Sequence, residues 1–158
     1  MVKTSNAAEA VTAGAQSDDL LLLGNQLCFA LYSASLAMTR VYKPLLEKLG
    51  LTYPQYLVML ALWEHDALSV SELGARLSLD SGTLTPLLKR LEASALVSRL
   101  RAVDDERRVH VTLTAAGRKL KIPAAKVPGC IVKASQCSVP ELSALTRQVQ
   151  ALRERLLA

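Results

Sequence analysis

Apolar residues recur at Leu20, Leu23, Leu27, Leu31 and Ala34, and no proline interrupts the chain between Asp19 and Tyr42. That spacing of three and four predicts a long amphipathic helix, closed off by Pro44. The preceding residues 1–18 show no sustained period and read as a flexible tail. A short segment from Pro44 to Leu49 stops at Gly50, and Thr52 is placed to cap a helix running from Tyr53 or Pro54 to about His65. Ser69 with Glu72 three residues later forms a capping box for a short helix carrying Val70, Leu73 and Leu77 on one face. Asp80 then caps a helix whose Leu84, Leu87, Leu88 and Leu91 make an i, i+3, i+4, i+7 stripe. Pro86 inside it predicts irregular first turns or a later start.

After Leu96 the period changes to two. Val97–Arg101 reads as one strand and Val109, Val111 and Leu113 as a second, with a charged tip from Asp104 to Arg108 between them. Thr114 caps a helix to about Lys121, and Pro123, Pro128 and Gly129 interrupt the run toward Cys130. A second capping box, Ser138 with Glu141, opens a last helix with Leu142, Leu145, Val149, Leu152 and Leu156. The expected fold is mainly α with a small β-ribbon. Helix, turn, helix and ribbon in this order make a winged helix-turn-helix, whose second helix can enter a major groove.

A chain of 158 residues, 51% apolar, suits one domain over 19–158 and excludes a disordered or low-complexity chain. The apolar run from Leu57 to Trp63 is far short of the roughly 20 residues that span a bilayer, so no membrane partner is expected. Residues 1–19 carry one Lys and end in Asp18-Asp19, the wrong order for a secretory signal, so the cytoplasm is the expected location.

Lys and Arg exceed Asp and Glu by 19 to 14, a net charge of +5 that fits a polyanionic partner without naming it. Charge meets shape on the helix after Asp80. Opposite its leucine stripe it presents Ser81, Thr83, Thr85, Lys89 and Arg90, hydroxyls and cations suited to base edges and phosphates. Arg107 and Arg108 at the ribbon tip are placed for a minor groove or a phosphate, with Arg99 and Arg101 at its base. Asp104, Asp105 and Glu106 orient those arginines. Double-stranded DNA is the expected partner.

Three cysteines, Cys28, Cys130 and Cys137, cannot all pair within one chain. Cys28 lies in an apolar helical context, where a free thiol is ordinarily a small buried hydrophobe. A reactive thiol needs its thiolate form, so nearby hydrogen-bond donors would be required, and Tyr32, at i+4, shares its face. The separation of Cys130 and Cys137 is not a zinc spacing, and neither His65 nor His110 completes a ligand set, so no metal and no cofactor are expected.

Asp105-Glu106-Arg107, followed by Val111, Leu113-Thr114 and Gly117, resembles the wing signature of the MarR family of dimeric repressors. Leu27 to Tyr32, Val41 to Leu46, Leu51 to Tyr56 and Asp80 to Arg90 are similar to the organic hydroperoxide resistance regulators of that family. The resemblance covers most of residues 20–157 and accommodates Pro86. It implies a homodimer built from helices in 19–50 and 115–158 around the winged-helix region 53–113. It implies an AT-rich inverted-repeat operator, and a two-fold dimer would space its half-sites about 34 Å apart.

The resemblance further implies that Cys28 is the redox-sensing residue, with an organic hydroperoxide as inducer. Tyr42 and Tyr53 would be donors to its sulfur from the partner subunit. Members with a second cysteine close an intersubunit disulfide, which makes Cys130, at a break between helices, the favoured resolving residue and Cys137 the alternative. Two rival readings carry their own tests. A repressor sensing a phenolic or anionic ligand would still release DNA as Cys28→Ser. A thiol peroxidase would turn over many equivalents of hydroperoxide, but the wing would then have no purpose, so an enzyme is not expected.

Overall fold

The computed structural model describes residues 19–101 and 108–158. The expected tail, 1–18, and most of the wing tip, 102–107, lie outside the described residues. The chain divides into two compact units, Met1–Arg40 and Val41–Ala158.

The first long helix, α1, spans Leu27–Glu47, starting later and ending later than the leucine spacing predicts. A single 3-10 turn, Leu23–Asn25, precedes it. There the Asn25 amide donates to the Asp19 carbonyl and the Gln26 amide to those of Leu20 and Leu22, so side chains compete with the helical ladder for the same acceptors. Pro44 lies inside α1 rather than ending it. It removes one backbone donor, but Leu46 just beyond it is 1% exposed, and burial of that side chain holds the helix together. Termination waits for Gly50 at φ 68°, where the Leu51 amide reaches back to the Leu46 carbonyl and the Gly50 amide to that of Glu47.

Helix α2 spans Tyr53–Glu64, and Thr52 caps it as expected. Gln55, three residues on, completes a capping box that the reading of Thr52 alone did not include. A two-residue strand, β1 (Leu68–Ser69), leads into α3 (Val70–Leu77), opened by the predicted Ser69–Glu72 box. Asp80 caps α4 (Ser81–Ala93) by accepting from the Thr83 amide at 2.8 Å. Helix α4 is continuous through Pro86, against the expectation of irregular first turns. Its apolar stripe, with Leu84, Leu88 and Leu91 each at most 1% exposed, outweighs one lost hydrogen bond on an exposed face.

Strands β2 (Val97–Arg101) and β3 (Val109–Leu113) form the expected antiparallel ribbon. The sheet has three strands rather than two, in the order β1-β3-β2, because Leu68 and Ser69 pair with Val111 and His110. Two residues are too few to show a period. Helix α5 (Ala115–Ala124), capped by Thr114, runs past Lys121 through Pro123. Helix α6 (Val127–Ser135) begins with Pro128 in its first turn, so Pro128 and Gly129 open a helix instead of breaking one. Helix α7 (Val139–Leu157) follows the Ser138–Glu141 box. The core gathers α2, α3, α4 and the sheet around Val58, Met59, Leu62, Leu73, Leu84 and Val111.

Candidate DNA interface and thiol sensor

The leucine stripe of α4 fixes which face remains outside. Ser81, Thr83, Lys89 and Arg90 are exposed, as the reading of this helix requires, while Thr85 is half-buried beside Leu84 and Leu88. Leu87, expected in the core, is also only half-buried. The Thr83 hydroxyl is already engaged, donating to Asp80 Oδ2 at 2.9 Å. These hydrogen bonds from the Thr83 amide and hydroxyl hold the Asp80 carboxyl below its ordinary range. The start of α4 is thus a fixed, polar surface with two long cations, Lys89 and Arg90, further along.

Arg108, the first described residue after the wing tip, is exposed. Its charge and that of His110 act on Glu72, whose carboxyl is held low chiefly by hydrogen bonds from Ser69. Arg107 and Asp105, assigned to DNA contact and wing orientation, lie outside the described residues. Arg99 lies in the middle of β2 rather than at the ribbon base, is half-buried, and is paired with Glu92 at 2.6 Å, so it is not available as a free cation. Glu92 is the residue the sequence reading missed. A glutamate seven positions before an arginine, across a helix–strand turn, matches no local spacing rule.

Cys28 is exposed in the single chain, and Tyr32, one turn later on α1, is 61% exposed. Apolar neighbours on the same helix are exposed with them: Leu27 at 59% and Leu31 at 38%. The burial that an apolar helical context suggests for Cys28 is therefore not found within one chain. In the second unit, Tyr42 and Tyr53 come together with ring centroids 4.9 Å apart, and Tyr56 stands 6.0 Å from Tyr42. Tyr56 is 3% exposed and is core, as its position on α2 suggests. Burial first, then the neighbouring Tyr53 and Tyr56, push the Tyr42 hydroxyl up to about 12, so it stays protonated and able to donate at neutral pH.

Cys130 and Cys137 are both exposed. Cys130 sits within the first turns of α6, its amide bonded to the Lys126 carbonyl at 3.3 Å, and not at a break between helices as expected. Cys137 occupies the irregular link between α6 and α7, with its amide on the Ser135 hydroxyl. The thiol that moves without disturbing a helical hydrogen bond is Cys137. No helix among the described residues is long and apolar enough to cross a membrane.

A family model described as transcriptional regulator SarA/Rot matches residues 40–122. The organic hydroperoxide resistance transcriptional regulator of Bacillus subtilis is 50% identical over 138 residues, 87% of this chain and 94% of that protein. AbfR of Staphylococcus epidermidis shares the fold with a TM-score of 0.74 at 34% identity, covering 89% of this chain and 97% of that one. Reduced AbfR bound to DNA matches with a TM-score of 0.73 at 34% identity over 90% and 99% of the two chains, and disulfide-formed AbfR with 0.59 at 35% over 88% and 98%.

Proposed function

This chain belongs to the organic hydroperoxide resistance transcriptional regulators, winged-helix proteins of the MarR type, and on that premise we propose that it is a repressor switched by oxidation of Cys28. The observation that carries the reading is the half-identical B. subtilis regulator, aligned over nearly all of both chains. Supporting it are the exposed Cys28 on an apolar helix and the protonated Tyr42 paired with Tyr53.

In the reduced state two copies associate through the exposed apolar faces of α1 and α7, and each presents an α4 and a wing to one half of an inverted repeat. Ser81, Thr83 and Thr85 face base edges, Lys89 and Arg90 the backbone, and Arg107 and Arg108, oriented by Asp105, the flanking groove. Oxidation begins when the Cys28 thiolate attacks the distal peroxide oxygen. The O–O bond breaks, the distal OH stays on sulfur as sulfenic acid, and the departing alkoxide takes a proton from water to leave as an alcohol. Tyr42 and Tyr53 hydroxyls of the other copy, with Tyr32 lining the pocket, donate to the thiolate and offset the penalty of an apolar setting. A second thiol then condenses with the sulfenic acid, forming a disulfide and releasing water. By freedom to move, Cys137 takes precedence over Cys130 as that resolving thiol. The crosslink favours a spacing of the two α4 helices that no longer fits the operator. The protein acts in the cytoplasm, where its DNA and a reducing pool to reset the thiols coexist.

A gel-shift with wild type, Cys28→Ser, Cys130→Ser and Cys137→Ser, with and without one equivalent of cumene hydroperoxide, tests the reading beside a non-reducing gel. Wild type is released and Cys28→Ser stays bound. Release of Cys28→Ser by the peroxide overturns the thiol switch, and the variant that no longer forms a crosslinked dimer identifies the resolving cysteine.

A further inference from the structure

The turn joining the recognition helix α4 to the wing strand β2 is held from two sides. On one side Ala95 adopts φ 56°, a left-handed position that glycine usually takes, and ends α4 with the Leu96 amide on the Leu91 carbonyl. The Thr114 amide donates to the Leu96 carbonyl at 3.1 Å and its hydroxyl to that of Ala95 at 2.6 Å. Helix α5 presses so close that a Cβ on Gly117 would lie 2.0 Å from the Leu96 carbonyl oxygen.

On the other side, Glu92 in the last turn of α4 receives three donors from Arg99. The Arg99 backbone amide reaches Oε1 at 3.2 Å, and its Nε and Nη2 reach Oε2 at 2.9 and 2.6 Å. Those hydrogen bonds keep the Glu92 carboxyl ionised below its ordinary range. Arg99 stands at the centre of the ribbon, opposite Val111. A planar guanidinium held at two nitrogens, with its own amide as a third tie, fixes direction as well as distance.

We propose that Glu92 and Arg99 are positioning residues for DNA binding: their clamp sets the angle at which the wing leaves the recognition helix, so that α4 and the wing reach their grooves together. The inference rests on the DNA-binding reading above. It makes a prediction opposite in sign to simple electrostatics. Removing a carboxylate beside a DNA-binding surface lessens repulsion of phosphate and, on charge alone, strengthens binding. Removing this one frees the wing and weakens it.

The test uses a duplex selected from a random pool by the reduced full-length protein. Its affinity is measured by fluorescence anisotropy at several salt concentrations for wild type, Glu92→Gln, Arg99→Gln, the double variant and Arg99→Lys. Glu92→Gln and Arg99→Gln each weaken binding by about tenfold, the double variant is no weaker than either single, and the salt slope is unchanged, as coupling through one clamp requires. Arg99→Lys keeps the charge but loses the fork, and it also weakens binding. Tighter or equal binding by Glu92→Gln overturns the inference. So does full affinity in Arg99→Lys, or an Arg99→Gln effect that adds to that of Glu92→Gln and lowers the slope by about one phosphate contact. If wild type enriches no duplex, the DNA-binding reading falls and takes the inference with it; unaffected variants of a wild type that does bind overturn the inference alone.

Discussion

Helices α4 and α7 carry leucine-rich stripes of the same helical spacing and meet opposite fates. In α4, Leu84, Leu88 and Leu91 are at most 1% exposed, enclosed by α2, α3 and β2. In α7, Leu145 is 57% exposed, Val149 38% and Leu156 76%, and no residue of the helix is buried. Periodicity states that a face is apolar without stating what covers it. The winged-helix region finds its cover within one chain. The stripe of α7 finds none among the described residues, and under the function proposed above it is covered by a second copy.

The largest effect that can break this contrast is a cavity in the enclosed stripe. Leu88→Ala lowers the stability measured by urea unfolding by about 2–5 kcal/mol at any protein concentration. Leu145→Ala, by contrast, makes the unfolding midpoint more concentration-dependent and shifts sedimentation toward monomer. Equal, concentration-independent losses at the two sites would end the distinction.

Gly117→Ala probes the same enclosed region from its backbone. A Cβ at 2.0 Å from the Leu96 carbonyl oxygen forces α5 away from the turn, at a cost of about 1–3 kcal/mol in thermal unfolding. Gly129→Ala, on α6, is the control of opposite sign. Nothing lies within 4 Å of its added Cβ, and the substitution stabilises by up to about 1 kcal/mol through helix propensity.

The smallest effect concerns the tyrosine pair. Because the Tyr42 hydroxyl ionises at about 12 in the folded chain and near 10 when unfolded, the folded state holds its proton longer. Its contribution to stability is complete below pH 10 and is lost as pH rises toward 12. Absorbance at 295 nm should show Tyr42 and the buried Tyr56 titrating late, and Tyr42→Phe removes one of the two, with a shallower alkaline loss of stability. Titration of all tyrosines together near 10 would show that the hydroxyl is solvated and poorly placed to serve a thiolate.

Much of the fold was legible because its signals are local. Ser69 with Glu72, Asp80, Thr114, and Ser138 with Glu141 announce four helix starts through hydrogen bonds that span three residues, and each is present. The prolines were misread for the complementary reason. Whether Pro44 or Pro86 ends a helix depends on how much burial the following leucines gain, and that is a sum over distant neighbours. The same holds at Pro128, which places Cys130 inside α6 and leaves Cys137 in the link. The two-residue β1 was invisible because its partner, β3, lies some forty positions away.

By itself, the sequence determined the helix starts that a side chain caps, the period switch into the ribbon, the polar face of α4, and the motifs around Cys28, Tyr42 and Tyr53 that mark the family. Each depends on residues within a turn or two of one another, or on identities preserved as such. Tertiary structure alone decided that Tyr42 and Tyr53 meet at a tilt with ring centroids 4.9 Å apart and that Tyr42, half-buried, holds its proton to higher pH. It also decided that Arg99 answers to Glu92 rather than to solvent. Contacts between separate elements depend on the angles at which helices and strands pack, and those angles are set by the whole core at once.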